Sequence, residues 1–376
     1  MKRYNLINNV LGWVVFLVAS IVYLLTAEPT ASWWDCGEYI ATADKLQVGH
    51  PPGAPTFQLI GSLFSNFAGS DVTKIAYTIN AMSAICSGFT ILFLFWSITM
   101  LAKKFVKKPE EMTTAQMIAI FGSGLVGSLA YAFSDTFWYS AVEGEVYAMS
   151  SCFTAIVFWA ILKWESQADD THNLRWLLLI AFLIGISIGV HLLNLLAIPA
   201  VTYVYYFKKF PHVEKNKKKK FLLVGVISMV LVAFILYFVV PYIVILAGKF
   251  EIFFTNSLNA PFNTGTIVYF VLLIAAIAFG LYYSTKKNKP VLNASILSLL
   301  FILVGYTTFL VLVIRANANT PINENAPKDA TALLTYLNRE QYGDTPLFYG
   351  QYYNATPIEQ KDGSPKYIKD TVSKKY

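Results

Sequence analysis

Apolar residues in this chain come in long unbroken runs, and the stretches between the runs are polar and rich in lysine. The runs cover residues 10–27, 75–102, 116–133, 147–164, 176–207, 221–247, 266–284 and 294–314. Most approach or exceed the roughly 20 residues an α-helix needs to cross a bilayer, so the pattern predicts an all-α, polytopic membrane protein. The run at 176–207 is too long for one crossing. Its roughly 30 residues would make a helix of about 48 Å, against a hydrocarbon core of about 30 Å. Two short helices with a turn near His191 fit better, which gives about nine spans in all.

The charged residues sharpen that count. With nine spans, one side collects Lys2 and Arg3, then Lys103, Lys104, Lys107 and Lys108, then Lys163 and Arg175, the lysines of 208–220, and Lys286, Lys287 and Lys289. The other side holds Lys45, Lys74 and Lys249 before the polar tail. Lysine and arginine concentrate on the cytoplasmic side, so the N-terminus is expected in the cytoplasm and the loops at 28–74, 134–145, around 191 and 248–263 outside, with everything after Arg315. The start of the chain resembles a signal peptide in charge and length, but no small-residue cleavage site follows, and an uncleaved first span is expected. The segment TFQLIGSLFSNFAG in the first outer loop is too short to span and is expected to lie in the interface or re-enter the protein.

Composition agrees. Of 376 residues, 56% are hydrophobic and 14% charged, where a soluble domain usually carries about 25% charged residues. The net charge of +7 comes from short clusters between apolar runs, which a membrane explains and a nucleic-acid surface does not. Three cysteines, Cys36, Cys86 and Cys152, show no spacing of a disulfide framework or a zinc site. No ligand cluster calls for a metal, and no cofactor is expected. The tail is polar, with a helical pattern in DATALLTYLNRE. A membrane domain at 1–315 and an extracytoplasmic segment at 316–376, the start of a larger soluble region or a natural short form, are expected.

The candidate chemistry falls on the outer side. Asp35 and Glu38, in WWDCGEY, stand three apart just after the first span and share one face if the segment is helical. They read as a general base at headgroup depth or as a solvated pair on a surface helix. His50 opens the turn HPPG, whose prolines would hold the imidazole in one place; an incidental histidine in a structural turn is the alternative. Asp135, Glu143 and Glu145 flank the fourth span, where carboxylates are costly to bury and often functional, or simply superficial. His191 and Asn194, at the break in the long run, either line a cavity or hydrogen-bond between helices. Arg315 follows the last span as a bidentate phosphate clamp or a snorkelling edge residue. A base, a phosphate clamp and aromatic walls on one surface suit group transfer from a lipid phosphate.

The segments WWDCGEYIATADKLQVGHPPGAP, FWYSAVEGEVYAMS, GVHLLNLLAIPA and RANANTPINENAPKDATALLTYLNREQYGD resemble a bacterial multi-spanning family related to eukaryotic protein O-mannosyltransferases, within the GT-C glycosyltransferases. The resemblance implies a GT-C-like fold and a polyprenyl-phosphate sugar donor carrying mannose or another hexose. It also implies inverting transfer to a Ser/Thr hydroxyl of an exported protein, or to a glycan, on the non-cytoplasmic face of a bacterial inner membrane. The acid after the first span is the usual base of such enzymes. That position is Asp35, but this chain has Asp35-Cys36-Gly37-Glu38 where the mannosyltransferases have adjacent Asp-Glu, so Asp35 and Glu38 both stand as candidates. His50, Arg315, His191, Glu143, Glu145 and Asn194 are the expected donor or substrate contacts. A lipid or small-molecule transporter or flippase, or a membrane scaffold, is the alternative. A transporter places polar residues near the midplane, usually with internal repeats; here they lie at one surface and no repeat is visible.

Overall fold

The computed structural model describes residues 2–210, 216–343, 346, 348–356, 358, 359 and 365–376. Lys215, one of the predicted basic cluster, lies outside the described residues.

Fifteen α-helices are found among the described residues. They are α1 (Lys2–Thr26), α2 (Cys36–Asp44), α3 (Pro55–Ser65), α4 (Ile75–Lys103), α5 (Thr114–Ala132), α6 (Asp135–Ala141), α7 (Val146–Ser166), α8 (Leu174–Ile188), α9 (Ile198–Lys209), α10 (Lys217–Phe234), α11 (Val240–Ile252), α12 (Thr264–Lys286), α13 (Pro290–Tyr306), α14 (Leu310–Asn317) and α15 (Ala330–Leu337). Among the described residues, seven helical stretches are long and apolar enough to cross a membrane, and α8 is a shorter apolar helix. The protein is therefore an all-helical, polytopic membrane protein. Helices satisfy every backbone N–H and C=O within the segment, which lipid demands.

The expected break in the long run is present. Gly189 ends α8, His191 is extended, and a 3₁₀ segment, Leu192–Ala197, leads into α9. Two further helices are deformed rather than broken. Pro241 lacks the N–H its turn needs, and the backbone widens into a π-turn over Ile235–Val239 just before it. A 3₁₀ turn, Thr307–Phe309, joins α13 to α14.

The predicted loop at 248–263 begins as helix instead. α11 runs on to Ile252, and a π-turn carries it through Phe253–Ser257. The fully buried Glu251 accounts for this. Its carboxylate accepts the backbone N–H of Asn263 (2.5 Å) and of Thr266 (3.0 Å), so a side chain on α11 caps the start of α12. Gly265 lets the two backbones meet, since a Cβ there would collide with the Phe250 carbonyl.

Helix α4 is the hub, packing against α1, α5 and α7, while α8 packs on α13. Gly185 and Gly305 face each other across the second contact; a Cβ on either would strike the other helix's backbone. The core falls into an α1–α4–α5–α6 cluster around Tyr23 and Phe95, and a larger one joining α7, α8, α9, α14 and α15 around Trp164 and Tyr336. A third, around Phe57 and Met82, seats α2 and α3 on α4 and α7. Of residues 56–69, expected to lie in the interface or re-enter, those up to Ser65 belong to α3, with Phe57 buried and Leu63 exposed.

The bundle has two chemically different ends. At one, Lys104 pairs with Glu165, Lys208 with Asp169 (3.0 Å), and Lys103 lies over the Tyr4 ring. The carboxylates and histidines singled out above gather at the other.

Candidate active site

The chain leaves α1 through a fixed turn. Asn80, fully buried on α4, donates its side-chain amide to the Glu28 and Thr30 carbonyls (2.6 and 2.9 Å), and the Glu28 N–H donates to Val142 (2.9 Å). Trp33 and Trp34 then project outward, 83% and 91% exposed, with Trp34 in the left-handed region (φ 66°). A bulky residue rarely adopts that conformation. Asp35 occupies the N-cap position of α2, and Glu38 stands one turn on, as the three-residue spacing anticipates.

His50 joins the two carboxylates. Its Nδ1 lies 3.1 Å from one Glu38 oxygen, and its backbone N–H donates to the other at 2.5 Å. Gly49 makes this possible, because a Cβ there would lie 2.5 Å from the Glu38 carboxylate. His50 Nε2 stands 3.8 Å from Asp35, beyond hydrogen-bond length, so that N–H is available to a third oxygen. The hydrogen bond that the ring donates to Glu38 raises the His50 pKa above the ordinary histidine value, against the opposing effect of burial. Burial alone would push Glu38 up, but its bonds from the His50 ring and backbone outweigh that and bring it below the ordinary glutamate value. The two hold an imidazolium–carboxylate pair to a higher pH than a free histidine would. Tyr39 lies edge-on to the His50 ring at 5.6 Å.

Glu143 and Glu145 form the second wall, each only 7% exposed. Glu145 accepts the Val146 N–H at the start of α7 (3.2 Å). Burial, reinforced by the charges of Asp35 and Glu143, lifts its pKa to about 7. Glu143 is raised by burial too, and with burial it pushes the neighbouring Cys36 thiol up to about 12. Cys36 is therefore a buried, unreactive thiol at the head of α2. Asp135 is exposed at the start of α6 and does not join the group.

His191 approaches through Tyr147, their rings 5.5 Å apart. Its Nδ1 accepts the Leu193 N–H (3.2 Å), and burial lowers its pKa, so the neutral ring presents Nε2–H. Thr56 holds this region to the His50 turn by donating from its backbone N–H to Gly189 (2.9 Å) and from its hydroxyl to Ile186 (3.0 Å). Asn194 turns inward. Its oxygen accepts from Ser150 (3.1 Å) and Thr154 (2.7 Å), and its amide donates to Ser187 and His191, a cross-helix clasp. Arg315 likewise faces the protein, donating from Nε to Leu46 (2.5 Å) and from a terminal nitrogen to Lys45 (3.0 Å). It bonds the carbonyls at the C-terminal end of α2, where a cation is favoured.

Below Tyr147 opens a mainly apolar cavity of about 520 Å³, lined by Thr90 and Leu94 of α4, Tyr131 of α5, Thr154 of α7 and Leu193 of the 3₁₀ turn. Two participants escaped the sequence reading. Glu324 in the tail acts electrostatically on Glu38 and His50, and the fully buried Tyr336 bonds the turn that carries His50. Both lie in the tail segment that carries the resemblance, but nothing in its pattern ties them to His50; the fold brings them back across nearly 290 positions.

The fold and this arrangement define a polytopic helical membrane protein with an acidic, histidine-containing site at one end of its bundle. Residues 35–217 match the family model described as the protein O-mannosyl-transferase TMEM260 N-terminal domain, so this part of the chain is similar to that family. It is 26% identical over 163 residues to protein O-mannosyl-transferase tmem260 of Dictyostelium discoideum, across 43% of this chain and 18% of that protein. It is 22% identical over 174 residues to protein O-mannosyl-transferase TMEM260 of Mus musculus, across 46% of this chain and 22% of that protein. The matched stretches thus span about a fifth of these relatives' lengths. No solved structure matches the chain.

Proposed function

We propose that this chain is a membrane glycosyltransferase of the GT-C type. It moves mannose or another hexose from a polyprenyl-phosphate donor to a Ser/Thr hydroxyl of a protein at the membrane face bearing Asp35, which in a bacterial cell is the periplasmic face of the inner membrane. The observation that carries the proposal is the Asp35–His50–Glu38 cluster at the exit of the first span, beside a largely apolar cavity. The names of the relatives supply the sugar and acceptor class.

In this reading the acceptor hydroxyl sits against Asp35. Its oxygen attacks the anomeric carbon while its proton passes to the Asp35 carboxylate. The bond from the anomeric carbon to phosphate oxygen breaks, and the electron pair leaves with the lipid phosphate. A single displacement inverts the anomeric centre. Glu38, already engaged twice by His50, serves as the orienting carboxylate, which assigns the base to Asp35. His50 offers Nε2–H to a phosphate oxygen from its charged form and His191 offers Nε2–H from its neutral form, while Arg315 pins the end of α2. The donor's isoprenoid chain lies in the cavity below Tyr147.

The test is transfer by the purified protein from polyprenyl-phosphate mannose to Ser/Thr peptides, read by mass spectrometry beside Asp35→Asn. A hexose mass gain with wild type, reduced at least roughly 100-fold in a well-folded Asp35→Asn protein, is expected. Equal transfer by both proteins removes Asp35 as the base. No transfer from mannose or other lipid-linked sugars removes the reading itself.

A further inference from the structure

The segment after the last span is built into the site. The Ile322 N–H donates to the buried Gln47 side chain (2.8 Å), the Val48 N–H donates to Ile322 (3.1 Å), and the Glu324 N–H donates to Val48 (3.0 Å). The tail and residues 47–48 thus pair as a short parallel bridge. The chain then enters α15, whose first turn is capped by Asp329, with bonds of 3.0 Å from the N–H groups of Thr331 and Ala332. The helix packs on α11, and its last turn drives Tyr336, with no exposed surface, under the His50 turn. The Tyr336 hydroxyl donates to the Gly49 carbonyl at 2.7 Å and lies 3.2 Å from that of His50. The same His50 carbonyl accepts the Gly53 N–H (2.9 Å), closing the turn. Gly53 leaves room for the hydroxyl: a Cβ there would stand 2.8 Å from it, and its φ of 74° suits glycine.

We propose that Tyr336 is a positioning residue: its hydroxyl fixes the two carbonyls that flank the His50 Cα, and so holds the imidazole between Asp35 and Glu38. This rests on reading those three residues as the reacting cluster. Glu38 grips His50 from one side through its ring and backbone N–H, and Tyr336 holds the carbonyls on the other side. With the hydroxyl removed, the Gly49 carbonyl loses this partner, and the turn keeps the Glu38 contacts, its own Gly53 closure and the flanking bonds at Val48 and Thr56. A small displacement of a preorganised group is costly in rate while leaving binding largely intact. The charged and titratable groups facing His50 are Glu38 and Asp35 of α2, Glu145 at the start of α7 and Glu324 of the tail, with the Tyr39 ring beside it.

Tyr336→Phe is the test, because it keeps the ring in its packing and removes one hydroxyl. Leu333→Ala, in the same helix and core cluster, is the packing control. The readout independent of transfer is the titration of His50, followed by ¹⁵N-histidine NMR of the full chain in lipid nanodiscs. The His50 signal is assigned by its loss in His50→Gln. Tyr336→Phe is expected to move the midpoint down by about half a pH unit, and Leu333→Ala to leave it in place. In the transfer assay, kcat is expected to fall about tenfold in Tyr336→Phe with KM within about twofold. An unchanged His50 midpoint, or matching shifts in the two variants, overturns the proposal. So does failure of Tyr336→Phe to fold where Leu333→Ala folds, which would make the hydroxyl a requirement of the fold. Absence of transfer by the wild type defeats the glycosyltransferase reading and leaves the NMR result to decide the role of Tyr336.

Discussion

Glu38 holds His50 twice, one carboxylate oxygen taking the backbone N–H at 2.5 Å and the other lying 3.1 Å from ring Nδ1. This double contact sets the charge of the site. It keeps the imidazole protonated above the ordinary histidine range and leaves Nε2–H aimed toward Asp35. A raised histidine pKa means that the paired form is present at lower pH and is lost as pH rises through the raised value. The transfer rate is therefore expected to fall on the alkaline side with a limb above the ordinary histidine value. Glu38→Gln removes the largest cause of the shift, so the limb is expected to move to lower pH in a profile of kcat/KM. Asp35 and Glu324 remain and retain part of the shift. An alkaline limb at the same pH in both proteins removes the His50–Glu38 pair as its origin.

Glu145 gives a prediction that needs no substrate. Its folded pKa of about 7 lies above the ordinary glutamate value of 4.5. Between those values the folded protein holds a proton the unfolded chain has released, so stability falls as pH rises through this window. Glu145→Gln carries no such charge. It is expected to match the wild type in thermal stability at pH 4.5 and to exceed it at pH 8, by on the order of 1 kcal/mol. Melting curves in one detergent at the two pH values decide this, and a pH-independent difference would contradict it.

Arg315 separates two roles that its position after the last span leaves open. The structure commits two guanidinium nitrogens to the Leu46 and Lys45 carbonyls. Arg315→Ala is therefore expected to lower thermal stability by roughly 1–3 kcal/mol and to reduce kcat, with little change in the donor KM. A rise in donor KM with stability and kcat preserved would instead make Arg315 a phosphate clamp.

What the sequence discloses and what it hides follow from range. The spans are legible because lipid imposes its length and polarity on each helix separately. The break before His191 follows from the same arithmetic, and the Asp35–Glu38 pair from helical spacing over three residues. The partnership of Glu38 with His50 crosses twelve residues and depends on a turn geometry that no periodicity reports. Glu251 as the cap of α12, Tyr336 beneath the His50 turn and Glu324 beside it depend on packing between distant elements. Asn194 had two readings in the sequence; Ser150 and Thr154, one and two turns into α7, make it a clasp.

The cavity beneath Tyr147 offers the most direct test of a lipid-linked donor. Ala155 lines it from α7, away from Asp35, Glu38 and His50. Ala155→Trp fills the space without altering a charge or a hydrogen bond of the site. If an isoprenoid chain lies there, the substitution displaces part of it. Losing two buried methylene equivalents costs about 1.6 kcal/mol, roughly tenfold in affinity. The donor KM is expected to rise by about that factor while kcat at saturating donor is unchanged, because the reacting groups do not move. A donor with its chain cut to two isoprene units reaches less of the cavity and is expected to show a smaller penalty. Equal effects on long and short donors, or a loss in kcat alone, would place the lipid elsewhere and return the cavity to ordinary bilayer lipid.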